Sequence, residues 1–167
     1  MFKTDFNIQS MKILRVISFL AVAVALSTYM GCKSKGSDPE PIADVQFAKL
    51  AKTWKVSTVS RDGEDQTANY TGFQLVLGGT KGNPPFSYTT TARPTLSPWK
   101  ASWIWEFGSA VETQIVRDKG AAELPEGLAM TYTVTESTLT LTFQYNGDGY
   151  NAKTEQVQGP WIFTFVL

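Results

Sequence analysis

The stretch Thr138-Leu139-Thr140-Leu141-Thr142-Phe143-Gln144-Tyr145 alternates without a break. Leu139, Leu141, Phe143 and Tyr145 fall on one side, and Thr138, Thr140, Thr142 and Gln144 on the other. Successive side chains of an extended strand point to opposite faces, so this is a strand with one face buried and one in water. The pattern continues outward from it. Leu128, Met130, Tyr132 and Val134 alternate with Ala129, Thr131, Thr133 and Thr135 on the N-terminal side. On the C-terminal side, Trp161, Phe163, Phe165 and Leu167 alternate with Ile162, Thr164 and Val166. Period two predicts strands at 53–60, 72–77, 86–92, 101–107, 112–118, 127–136, 138–145 and 160–167. Turn chemistry separates them: Arg61-Asp62-Gly63, Gly78-Gly79 through Pro84-Pro85, Pro94 to Pro98, Gly108-Ser109, Gly120 to Gly127, and Asn146-Gly147-Asp148-Gly149. The segment 44–51 departs from the pattern. Apolar residues at 47, 48 and 51 behind Asp44 as N-cap predict about one or two helical turns. The class is therefore all-β. Eight short strands suit an antiparallel up-and-down barrel, whose closure removes exposed edges; a two-sheet sandwich fits the same pattern.

Apolar residues make up 43% of the chain and charged residues 18%, enough to build a core and too little charge for global disorder. The 167 residues suit one domain behind a leader. The formal charge is zero, and removing Lys3, Lys12, Arg15 and Asp5 with residues 1–31 leaves a slight acidic excess. No basic surplus exists to neutralise phosphates, so nucleic acid is not an expected partner. The chain has no histidine, the commonest general base and metal ligand, and one cysteine, so no Cys/His cluster is expected to hold a metal. No Gly-x-Ser-x-Gly elbow occurs, and the carboxylates Asp62, Glu64, Asp65, Glu123, Glu126 and Asp148 fall in turns. The reading is a non-enzymatic protein without a cofactor.

Met11-Lys12-Ile13-Leu14-Arg15 is a short positive segment, and Val16 to Leu26 is an apolar run interrupted by Ser18. That run is shorter than the roughly 20 residues needed to span a bilayer as a helix. Gly31 then precedes Cys32, the sole cysteine. The arrangement resembles a lipoprotein signal peptide, with Tyr29 where the cleavage motif usually has Leu and Met30 larger than usual. It implies removal of residues 1–31, with Met11 as the true start. Cys32 would then carry a diacylglycerol thioether and an acylated amino terminus, with palmitate-type chains. Residues 32–43, polar and rich in Pro, Gly and Ser, read as a flexible tether, and 44–167 as the folded domain. The expected location is the cell envelope, anchored by lipid to a bacterial membrane, taken as the outer one.

From Leu50-Ala51-Lys52-Thr53-Trp54-Lys55-Val56 onward, the chain resembles the lipocalin-like domains of small bacterial lipoproteins. These open with a Gly-x-Trp stretch leading into the first strand; here Thr53 and Trp54 match and Lys52 replaces the glycine. The likeness continues through Asp62-Gly63-Glu64-Asp65-Gln66-Thr67, Tyr70-Thr71-Gly72-Phe73, the tryptophan strand at 103–107, Arg117-Asp118, Thr138-Leu139-Thr140-Leu141 and Phe163-Thr164-Phe165. It implies an eight-stranded lipocalin-like barrel, with Trp54 as a structural plug at the floor. Arg117 would stack on or bond near Trp54, unless it is a solvated strand arginine. A shared fold implies no substrate.

The densest aromatic feature is Trp99 followed by Trp103-Ile104-Trp105-Glu106-Phe107. Trp103, Trp105 and Phe107 share a strand face. Pointing inward, they either pack the core or wall a cavity for a small hydrophobic or amphipathic ligand, joined by the hydroxyls of Tyr132 and Tyr145. Pointing outward, they form a platform for sugar rings. Glu106 alternates away from them. Two kinds of function follow: a membrane-anchored binding barrel, or a structural or protein-interaction lipoprotein whose barrel is filled.

Overall fold

The alternation at 138–145 becomes one strand of a continuous antiparallel ladder, paired on both sides. The computed structural model describes residues 38–150 and 155–167. Helix α1 (Ile42–Leu50) leads into β1 (Thr53–Arg61), β2 (Glu64–Asp65), a 3-10 turn at Thr67–Tyr70, β3 (Gln74–Gly78), β4 (Phe86–Thr91) and β5 (Ser102–Phe107). There follow β6 (Gln114–Arg117), β7 (Leu128–Val134), β8 (Thr138–Tyr145), a second 3-10 turn at Glu155–Val157, and β9 (Gly159–Val166). Every strand from β3 onward pairs antiparallel with its sequence neighbour, and β9 closes on β1. The result is a closed eight-stranded up-and-down barrel of the lipocalin-like kind, with β2 a short hairpin arm on β1.

Register explains the core. Val59, Phe163, Leu141 and Tyr132 stand opposite one another across β1, β9, β8 and β7, and all four are buried. Residues directly opposite share a face, so one apolar set lines the inside while the threonines of β7 and β8 meet water. In β1 the parity changes: Trp54 and Val56 face the core at even positions, Val59 at an odd one. A bulge between Val56 and Thr58 absorbs the extra residue. Bulges bend and twist a strand, and here one keeps both halves of β1 apolar side in. The β1–β2 connection is Asp62-Gly63, both at positive φ (52° and 82°), the two-residue turn that matches strand twist.

Several details differ from the sequence reading. The helix spans nine residues, and Pro41, not Asp44, occupies its N-cap. The Pro41 carbonyl accepts from the amides of Asp44 and Val45, and Asp44 sits in the first turn, where a negative charge suits the helix dipole. Tertiary burial of Phe47 and Leu50 extends the helix beyond what its weak periodicity indicates. The pair Glu64-Asp65, read as turn, is strand β2. Leu167, expected on the apolar face of the last strand, lies past β9 and is half exposed, because no partner strand reaches it. The leader 1–31, Cys32 and the tether up to residue 37 lie outside the described residues.

Candidate functional site

Four of the five positions expected to line a ligand cavity are held in packing contacts. Trp105 is 1% exposed; its ring lies 4.7 Å from Phe86, 5.4 Å from Phe107 and 6.1 Å from Phe47, and its Nε1 donates to the Ser87 carbonyl. Phe107 is half-buried against the same group. Tyr132 is buried and donates its hydroxyl to the Val111 carbonyl at 2.5 Å. Burial, with the charge of Glu112 adding to it, pushes its pKa up to about 12. Tyr145 is fully buried, its ring 6.2 Å from Tyr150.

Trp103 departs from the expectation that it would share the surroundings of Trp105. It is 41% exposed, with the Lys100 ammonium 4.4 Å above its ring and its Nε1 donating to the Lys119 carbonyl. Alternation fixes the side of a sheet and not the depth along a barrel, and Trp103 stands at the opening residues of β5. Among the described residues the other exposed large apolar side chains are aliphatic, so Trp103 is a lone ring at the surface. Glu106, expected in water, is partly exposed and paired with Lys119 at 2.7 Å.

The two residues assigned to the floor separate. Trp54 is buried, donates to the Leu50 carbonyl at 2.9 Å and lies under Lys52. Arg117 is neither solvated nor stacked on Trp54. Its guanidinium lies 4.3 Å from the centroid of Trp99 and 5.4 Å from that of Phe143, and it donates to the Pro98 carbonyl at 2.6 Å and to the Asp118 carboxylate. Both charges are buried, at 1% and 0% exposure. Adjacent strand residues normally point to opposite faces, so bringing both inside requires a break in the strand. Asp118 supplies it with φ +61°, directly after β6 ends. Its carboxylate also accepts from Tyr88 and, at 3.1 Å, from Tyr150. Burial holds the phenols of Tyr88 and Tyr150 well above the usual tyrosine range. For Arg117, burial disfavours the charge, but Asp118 and the surrounding tyrosines outweigh it and raise its pKa. The cluster is a buried ion pair in which Arg117 Nε and Trp99 Nε1 remain without a hydrogen-bond partner.

An open cleft of about 460 Å³ lies elsewhere, lined by Arg61, Gln66, Asn69, Tyr70, Pro94, Thr95, Leu96 and Trp161. Arg61 sits over Trp161 at 5.6 Å and donates to the Gln156 carbonyl. Its Nε, buried, has no hydrogen-bond acceptor and only a loose ion pair with Asp62 at 3.9 Å. Asn69 Nδ2 donates to Gln66 Oε1 at 3.0 Å, and Tyr70 donates to the Leu96 carbonyl at 3.3 Å. The sequence reading singled out none of Tyr88, Trp99 as an arginine partner, Asp118 as a core charge, or Arg61. Trp99 lies in a segment punctuated by Pro94 and Pro98, where periodicity is silent, and the cleft unites three segments distant in the chain. Among the described residues, no group of three or more His, Cys, Asp or Glu side chains is placed to hold a metal ion. Comparison with protein-family models, with curated proteins and with solved structures finds no match for this chain.

Proposed function

We propose that this chain is a lipid-anchored envelope protein, tethered through Cys32, whose lipocalin-like barrel is a packed scaffold for recognition at its surface. The observation that carries this reading is the occupancy of the barrel interior. The Phe163 ring has Tyr70, Phe73, Trp99, Phe143, Trp161 and Phe165 at 5.1 to 6.0 Å. Interiors packed in this way leave no room for a guest without displacing rings. A small apolar ligand inside the barrel, the competing reading, needs that displacement. Titration with an apolar fluorescent probe tests it: the protein should ignore the probe, and stoichiometric binding with quenching of tryptophan emission would overturn the packed-scaffold reading. The anchor is tested separately by fatty-acid labelling in cells. Cys32→Ser should lose the label, and equal labelling of the variant would refute lipidation.

A further inference from the structure

We infer that the cleft around Arg61 is a binding site for a small acidic saccharide. The inference rests on the packed-scaffold reading, since it places recognition outside the barrel core. The cleft has the volume of a small-molecule site, which ordinarily lies between about 300 and 1,000 Å³. Three kinds of group meet in it. Gln66, Asn69 and Thr95 are uncharged and can both donate and accept. The bond between the two amides uses Asn69 as donor and Gln66 as acceptor, so the Gln66 amide nitrogen and the Asn69 amide oxygen remain for a ligand. Sugar hydroxyls donate and accept in the same way, which matches such a lining better than a purely donating or accepting one. Leu96, exposed at the cleft, adds apolar surface for the C–H face of a ring, while the buried Trp161 underlies Arg61.

Arg61 supplies the charge. One of its nitrogens is spent on the Gln156 carbonyl, its guanidinium carbon lies 5.6 Å from the Trp161 ring centroid, and its Nε lacks an acceptor. The Asp62 carboxylate, 3.9 Å away and largely exposed, compensates the charge only loosely. Among the described residues Arg61 is the one charged side chain that lines the cleft, which suits a ligand with a negative group. A guanidinium edge pairs well with a planar carboxylate, which can fill two N–H positions at once. A pyranose ring bearing one carboxylate combines the three requirements.

The test uses the full-length protein, isotope-labelled and held in detergent, with glucuronate, glucose and acetate as probes in amide NMR titrations. Glucuronate should shift the amides of Gln66, Asn69, Thr95 and Leu96 saturably, with Kd of about 1 mM, as suits one ring on an open site. Glucose should bind about tenfold more weakly, a difference of about 1.4 kcal/mol. Acetate should leave the cleft unsaturated over the same range. Arg61→Gln should remove the preference for glucuronate over glucose. If that variant fails to fold, Asn69→Ala, at an exposed position, should weaken both sugars alike. Equal binding of glucose and glucuronate, or of acetate and glucuronate, would overturn the proposal, as would the absence of saturable shifts. Absence of shifts everywhere leaves the packed scaffold standing. Saturable shifts at interior positions such as Trp105 and Tyr132 would overturn the packed scaffold instead.

Discussion

At the scale of the residue, Arg117 and Asp118 carry the sharpest energetic consequence. Each charge is fully desolvated, and each is tolerable only because the other is present. Removing one partner of a buried pair typically costs about 3–5 kcal/mol, while replacing both by neutral groups of similar size often costs far less. Asp118→Ala should therefore lower stability by about that amount. Arg117→Met combined with Asp118→Asn should lose less than Asp118→Ala alone. Denaturant unfolding of the two variants beside the parent protein checks this; a double variant at least as damaged as Asp118→Ala would contradict it. Asn retains the tolerance of Asp for the left-handed conformation at position 118, whereas Ala adds a backbone cost of its own to the loss of charge. The tryptophans of β5 supply a second contrast. Trp105→Ala should cost about 3–5 kcal/mol, the usual loss for a buried large aromatic. Trp103→Ala should cost under about 2 kcal/mol, since it gives up one exposed cation–π contact and one exposed hydrogen bond to the Lys119 carbonyl. Equal losses at the two sites would mean that exposure misjudges their packing.

At the scale of the element, β9 is the strand on which closure depends. It pairs with β8 over Thr138 to Tyr145 and with β1 over Lys55 to Arg61, and it delivers Trp161, Phe163 and Phe165 to the core. A chain ending at Gly159 loses those three rings and opens two strand edges at once. It should show no cooperative unfolding transition by circular dichroism; a sharp transition would show that the remaining sheet closes on itself. β9 was legible because large rings return at every second residue, Trp161, Phe163 and Phe165, a spacing with no helical counterpart. The course of β1 was not. Its bulge conserves the inward face by spending one residue, and nothing in Trp54-Lys55-Val56-Ser57-Thr58-Val59 marks where that residue falls. The helix Ile42–Leu50 was legible only as a turn or two, because its stability comes from seating Phe47 beside Phe86 and from its Leu50 carbonyl receiving Trp54.

At the scale of the whole molecule, the barrel concentrates phenols in a medium that resists their ionisation. Tyr70, Tyr88, Tyr132, Tyr145 and Tyr150 all have raised pKa values, burial being the largest cause for each. A raised pKa means that the folded state holds its proton more tightly than the unfolded one, whose tyrosines ionise near pH 10. The associated stability is complete below about pH 10 and is lost as pH climbs through the folded values, such as the value of about 12 for Tyr132. Alkaline titration should therefore show tyrosinate absorbance appearing together with loss of near-ultraviolet dichroism, and not before it. Tyrosinate forming in a protein that keeps its tertiary signal would contradict the closed interior.

Composition and periodicity by themselves determined the all-β class, the approximate strands and the inward set of β7, β8 and β9. These follow from local rules: an extended chain alternates its side chains, and water penalises the apolar face. Arg117 and Trp54 stood out as candidates through the resemblance to lipocalin-like domains and not through periodicity. Only the tertiary structure decided which rings share a neighbourhood, how deep each residue lies, and that Asp118 turns inward to meet Arg117. It alone brought Arg61, Gln66 and Thr95 to one cleft. Depth, partner choice and cleft formation depend on the closure of β1 on β9, which joins residues nearly the whole domain apart. No local pattern encodes a distance across that seam.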